Sequence, residues 1–229
     1  VIKRADDRPI ERTLVKSVTG QRASLPLHAP GMRIGLLGGS FNPAHDAHRA
    51  ISLLALKKLQ LDRLWWLVTP GNPLKDTRAL PPLDERIAQA AALANHPRID
   101  VTGFEAVIGT KYSCDTIRWL INEAPGTHFV WIMGADNLKT FHRWKNWRDI
   151  FQMLPIAVVD RGGISLQAAS GAAAISFAKA RIPETRASTL PGTPPPAWVY
   201  LHGVKSDLSS TAIREARDMK DRDTERHDG

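Results

Sequence analysis

GGSFNPAHDAHRA, residues 38–50, sets two glycines, a proline and two histidines between an apolar run and a helical pattern. The run before it, MRIGLLGG at 32–39, is short, bounded by glycines, and reads as a buried strand. After it, Ile51, Leu54, Ala55 and Leu59 recur at helical spacing. The stretch is therefore a strand-to-helix turn. In open α/β sheets such turns, outside the carboxyl ends of the strands, are where ligands bind, and the unpaired N–H groups of a helix start suit anions. Glycine lets the backbone approach a phosphate, and histidines add donors that can carry charge.

Two phosphate loops can be tested against these letters. A P-loop requires G-x-x-x-x-G-K-[ST], but no lysine follows Gly38 or Gly39 before Lys57. The dinucleotide fingerprint requires G-x-G-x-x-G, whereas Gly35, Gly38 and Gly39 have other spacings and Pro43 intervenes. Neither fits.

The chain has 229 residues, 43% of them hydrophobic, which suits one α/β domain with extensions. Strands are expected at 32–37, 63–69, 99–104, 128–133, 155–160 and 197–202. Helices are expected at about 46–60, 83–95, 113–123 and 145–153. This alternation predicts a largely parallel sheet with helices on both faces and right-handed crossovers. Residues 161–196, Ala-rich and then Pro-rich, read as a helix followed by a surface excursion. Residues 1–29 read as a poorly ordered extension, 30–217 as a single domain, and 218–229 as a charged tail.

No apolar run approaches the length of a membrane span, and the one cysteine, Cys114, cannot form an intramolecular disulfide. Without a signal-like apolar core at the amino end, a cytoplasmic location is expected. A net charge of +8 is compatible with a polyanion or with phosphate-rich small substrates. The basic residues are scattered, and no nucleic-acid recognition motif accompanies them.

Two further groups carry chemistry. His45 and His48, at i and i+3 of a helix start, can face one ligand. A zinc reading needs further ligands at suitable spacing, which the neighbourhood lacks, so no resident metal is expected. Near the carboxyl end, SDLSSTAIREAR at 206–217 puts Ser209, Ser210 and Thr211 before an amphipathic helix, with Arg214 one turn in. One hydroxyl is an ordinary cap. Three in a row with an arginine make a phosphate site.

GGSFNPAHDAH resembles the G-G-[ST]-F-[DN]-P-x-H-x-G-H signature of the nucleotidyltransferase superfamily, and LSSTAIR resembles its carboxy-terminal I-S-S-T-x-I-R. VTPGNPLKD, TKYSCDTI and IMGADNLKTFHRWKNWRDI resemble the middle segments of the nicotinate-nucleotide adenylyltransferases. The likeness runs from about Met32 to Arg217 and implies a Rossmann-like nucleotidyltransferase fold. It implies transfer of the adenylyl group of ATP to nicotinic acid mononucleotide, with magnesium carried on ATP. Implied at the ATP phosphates are His45, His48, Lys75, Arg214 and Ser209 to Thr211. The backbone of Gly38, Gly39, Ser40 and Phe41 lies near the nucleotide, and Gly134 and Asp136 near the ribose. Tyr112, Ser113 and Trp144 are implied at the pyridine ring, with Lys75 reaching the phosphates.

Each of these residues also has a plainer role open to it: Asp136 can cap a helix, Trp144 and Trp147 can be core, and Lys75 can be a solvated turn lysine. The resemblance favours stacking for Trp144 and packing for Trp147. The pattern's glycine between the histidines is Ala47 here, a methyl that could crowd whatever lies over the turn. Rival acceptors within the superfamily are phosphopantetheine and nicotinamide mononucleotide; a rival of another class is a basic nucleic-acid-binding module.

Overall fold

The computed structural model describes residues 14–16, 22–71, 80–160 and 171–203. The apolar runs at 33–39, 63–68, 128–134, 156–159 and 198–201 become strands that are largely buried on both sides. β3 (Arg33–Gly39), β4 (Arg63–Val68), β5 (Ile99–Thr102), β6 (His128–Gly134), β7 (Ile156–Val159), β8 (Arg181–Ile182) and β9 (Trp198–Leu201) form one sheet in the order β5-β4-β3-β6-β7-β9-β8. Every neighbouring pair in it is parallel. β1 (Leu14–Lys16) and β2 (Arg22–Ser24) pair separately and antiparallel.

Alternation along the strands divides the core in two. Leu36, Trp65, Leu67, Trp131, Met133 and Val158 point to one face, and Leu37, Trp66, Val68, Val130, Ile132 and Val159 to the other. Complete burial of each such side chain stabilises the fold by about 1.5–3 kcal/mol. α1 (Asp46–Lys58) and α2 (Leu83–Ala94) cover the second face, through Ile51, Ala55, Leu56, Ala90 and Ala94. The first face is covered by α3 (Phe104–Ile108), α4 (Ser113–Glu123), α5 (Ala135–Thr140) and α6 (Trp147–Met153). None of the described helices is long and apolar enough to cross a membrane.

Among the described residues the expected strands and helices are present, with corrections at three places; the helix expected after Thr211 and the tail at 218–229 lie outside the described residues. The strand expected over 99–104 ends at Thr102, whose hydroxyl accepts the Phe104 N–H at 3.3 Å and starts a short helix instead. The surface excursion expected within 161–196 is partly built into the fold. β8 pairs with β9 at the sheet edge, and a 3-10 segment at Glu184–Gly192 buries Ala187 and Leu190, three residues apart as that helix requires. Within the expected amino-terminal extension, Leu25 is 1% exposed and packs into the first core, so the packed fold begins before residue 30.

At the carboxyl end of β3, a Cβ built on Gly38 would lie 2.9 Å from the Trp131 ring. Since Trp131 is itself buried, the ring has little room to give way. Gly38→Ala is expected to destabilise the protein by about 1–3 kcal/mol. Urea unfolding midpoints check this, and an unchanged midpoint would refute the close packing.

Candidate active site

The order of the sheet places β3 beside β6, while the helices that follow them go to opposite faces. This is the switch point at which open α/β sheets bind ligands. The β3–α1 turn forms one wall. His45 is the residue preceding α1, with extended backbone, and His48 is the third residue of the helix. Their rings lie 3.9 Å apart between centroids, so the two histidines are together as the spacing predicts. The His45 N–H donates to Nδ1 of His48 at 3.2 Å. A neutral His48 accepting at Nδ1 carries its proton on Nε2, which makes Nε2 the donor of that ring.

His48 is supported from below. The Phe41 ring is 4.7 Å from it and stacks at 5.0 Å on Trp66. The Trp66 indole N–H donates to Ser52, whose hydroxyl donates to the His48 carbonyl, both at 2.8 Å. Phe41 has φ 46° while only 1% exposed, a conformation costly for a residue with a side chain, held here by burial of the ring. Gly38, Gly39 and Ser40 bring backbone up to this turn. Ala47 is buried in the first turn of α1.

β6 supplies the opposite wall. Gly134 ends it, and Asp136 stands half-buried in the first turn of α5. Trp144 is half-buried with its ring edge-on to Trp131 at 6.2 Å, and Trp131 in turn lies under Gly38. One indole thus joins the two walls. Trp147 packs among Phe141, Phe151 and Phe177, in keeping with a core role. Tyr112 and Ser113 begin α4, and Cys114 is buried, which pushes its thiol pKa up. Lys75, Ser209, Ser210, Thr211 and Arg214 lie outside the described residues.

Three charged groups at this end of the sheet are not singled out by the sequence reading. The Lys145 ammonium sits 4.2 Å over the Tyr112 ring and 3.9 Å from Asp115. Arg86 is buried against main-chain carbonyls of the β3–α1 turn and the end of β4. Glu105 is buried in α3 and accepts from the Thr116 hydroxyl at 2.8 Å. Thr116 also meets the Thr110 hydroxyl at 2.9 Å, so the carboxyl anchors the segment leading into Tyr112. A faint signal exists for Arg86, which precedes the buried Ala90 and Ala94 by four and eight positions on one stripe of α2.

The cytidylyltransferase-like family model matches residues 36–216. A probable nicotinate-nucleotide adenylyltransferase of Methylorubrum extorquens is 62% identical over 183 residues, 80% of this chain and 99% of that protein. One from Brucella abortus is 48% identical over 186 residues, 81% of this chain and 96% of that protein. Among solved structures, Plasmodium falciparum nicotinic acid mononucleotide adenylyltransferase complexed with NaAD has a TM-score of 0.60 at 15% identity, over 80% of this chain and 83% of that one, a likeness of fold.

Burial raises the Glu105 pKa above its ordinary value, opposed by hydrogen bonds from the Thr116 and Thr69 hydroxyls. The native state therefore holds this proton to a higher pH than the unfolded chain does. Its contribution to stability is fully present below the unfolded value and declines as pH rises through the window up to the raised native value. Glu105→Gln removes that titration. Relative to the parent, its unfolding midpoint is expected to improve as pH is raised from 4 to 8, and a pH-independent difference would contradict the assignment.

Proposed function

Because the chain belongs to the cytidylyltransferase-like family, and within it to the nicotinate-nucleotide adenylyltransferases, we propose that it transfers the adenylyl group of ATP to nicotinic acid mononucleotide in NAD biosynthesis. The observation that carries this reading is the pair of adjacent histidines at a glycine-bounded strand-to-helix turn, at the switch point of a parallel sheet.

A 5′-phosphate oxygen of the mononucleotide attacks the α-phosphorus of ATP. A new P–O bond forms, the bond to the bridging oxygen of the β-phosphate breaks, and pyrophosphate leaves with the electron pair. The attacking phosphate is already ionised at neutral pH, so no general base is required. The protein's task is alignment and stabilisation of charge. In this reading His48 donates from Nε2 to the α-phosphate and His45 holds the neighbouring phosphates. The backbone of Gly38, Gly39, Ser40 and Phe41 lies along the nucleotide, and Asp136, just beyond Gly134, accepts from ribose hydroxyls. Lys75, Arg214 and the hydroxyls of Ser209, Ser210 and Thr211 hold the departing β- and γ-phosphates.

Trp144 stacks on the pyridine ring, beside Tyr112 and Ser113. Lys145 over Tyr112 places a positive charge there, which favours the carboxylate of the acid over the neutral amide. Magnesium carried on ATP would supply charge neutralisation of the phosphates. A cytoplasmic site of action fits this chemistry.

The test is chromatography of products formed from ATP and magnesium with nicotinic acid mononucleotide, nicotinamide mononucleotide and phosphopantetheine offered in parallel. Dinucleotide chiefly from the acid, with equal pyrophosphate, is expected. Product from phosphopantetheine alone would keep the phosphate sites and overturn the pyridine site, and no product from any acceptor would overturn the reaction. In the same assay His48→Ala is expected to lower turnover by about 10²–10³, as for loss of one preorganised donor. Unchanged turnover would remove His48 from the mechanism.

A further inference from the structure

Arg86 is 2% exposed, and its acceptors among the described residues are all main-chain carbonyls. Nη1 donates to Ser40 and to Thr69, both at 2.8 Å, Nε to Pro81 at 3.0 Å, and Nη2 to Pro70 at 3.4 Å. The Thr69 N–H in turn donates to the Gly39 carbonyl at 3.0 Å. One guanidinium therefore binds the β3–α1 turn, the end of β4 and the start of α2 to one another. Burying a charge on neutral acceptors is costly, and an apolar side chain would serve packing better.

The geometry carries a consequence for the turn. In a planar trans peptide the C=O and the following N–H point in opposite directions. With the Ser40 carbonyl drawn onto Arg86, the Phe41 N–H is turned to the side away from α2. A cationic donor on a carbonyl also polarises its peptide group and strengthens the N–H on the other side. The positive φ of Phe41 means that the turn would not hold this orientation unaided.

We propose that Arg86 is a positioning residue for the transfer, fixing the Ser40–Phe41 peptide so that the Phe41 N–H meets the ATP phosphates. This rests on the phosphate-binding role given above to the β3–α1 turn. Arg86 itself does not touch substrate; it acts through the peptide it holds.

Arg86→Gln and Arg86→Lys test it by steady-state kinetics, thermal unfolding, and calorimetric titration with ATP and with adenosine. For Arg86→Gln, turnover and ATP affinity are expected to fall by about tenfold to a hundredfold, in line with loss of one well-placed hydrogen bond to a charged group, while adenosine affinity stays unchanged. Arg86→Lys, which keeps the charge and loses the fork, should recover part of the loss. A lowered unfolding midpoint with parental turnover and ATP affinity in the folded protein would overturn the proposal.

If neither variant folds, the Phe41 amide of the parent decides: its proton resonance should move downfield with ATP and not with adenosine, and the absence of an ATP-specific shift overturns the assignment. Should the parent form no dinucleotide, the reaction reading fails on its own, and the comparison of ATP with adenosine binding still decides Arg86.

Discussion

Two adjacent parallel strands, β3 and β6, send the helices that follow them to opposite faces of the sheet, and the remainder of the site depends on the crevice this leaves. The β3–α1 turn brings His45 and His48 to one side of it. The end of β6 brings Gly134 and Asp136 to the other. Trp131 lies beneath Gly38 and edge-on to Trp144, so the two sides share one rigid indole. Side chains of 33–39 alternate into two separate cores, and the strand that presents the turn is therefore fixed from both faces.

Stability is spent unevenly around that crevice. Most of the interior is apolar, yet the polar groups buried at this end of the sheet, Arg86, Glu105 and Thr116, each hold backbone or hydroxyls of segments flanking the turn or Tyr112. Phe41 adds a disfavoured backbone conformation held by its stacked ring. Here buried charge and a strained backbone meet where loops must keep a fixed attitude. A reaction that needs alignment and charge stabilisation, with no proton abstracted, is served by such rigidity.

Much of this is legible in the amino-acid sequence because parallel strands buried on both faces read as uninterrupted apolar runs, as at 63–68 and 128–133. The glycine and histidine turn was legible for another reason: its chemistry is local, and the i, i+3 spacing alone puts the two rings together. Short elements were not legible. Five residues of α3 and two of β8 carry no period, and the three-residue rhythm of Ala187 and Leu190 resembles neither helix nor strand. Arg86 and Glu105 escaped notice because their partners are remote in sequence; Ser40 lies 46 positions from Arg86. A charged residue on the buried stripe of α2 was the only sign.

The most direct measurement is a crystal structure with magnesium and a non-hydrolysable ATP analogue bound. The account predicts the triphosphate over the β3–α1 turn, with His48 Nε2 within hydrogen-bond distance of an α-phosphate oxygen and Asp136 on the ribose side. A triphosphate bound away from the β3–β6 crevice, with both histidines facing solvent, would contradict it.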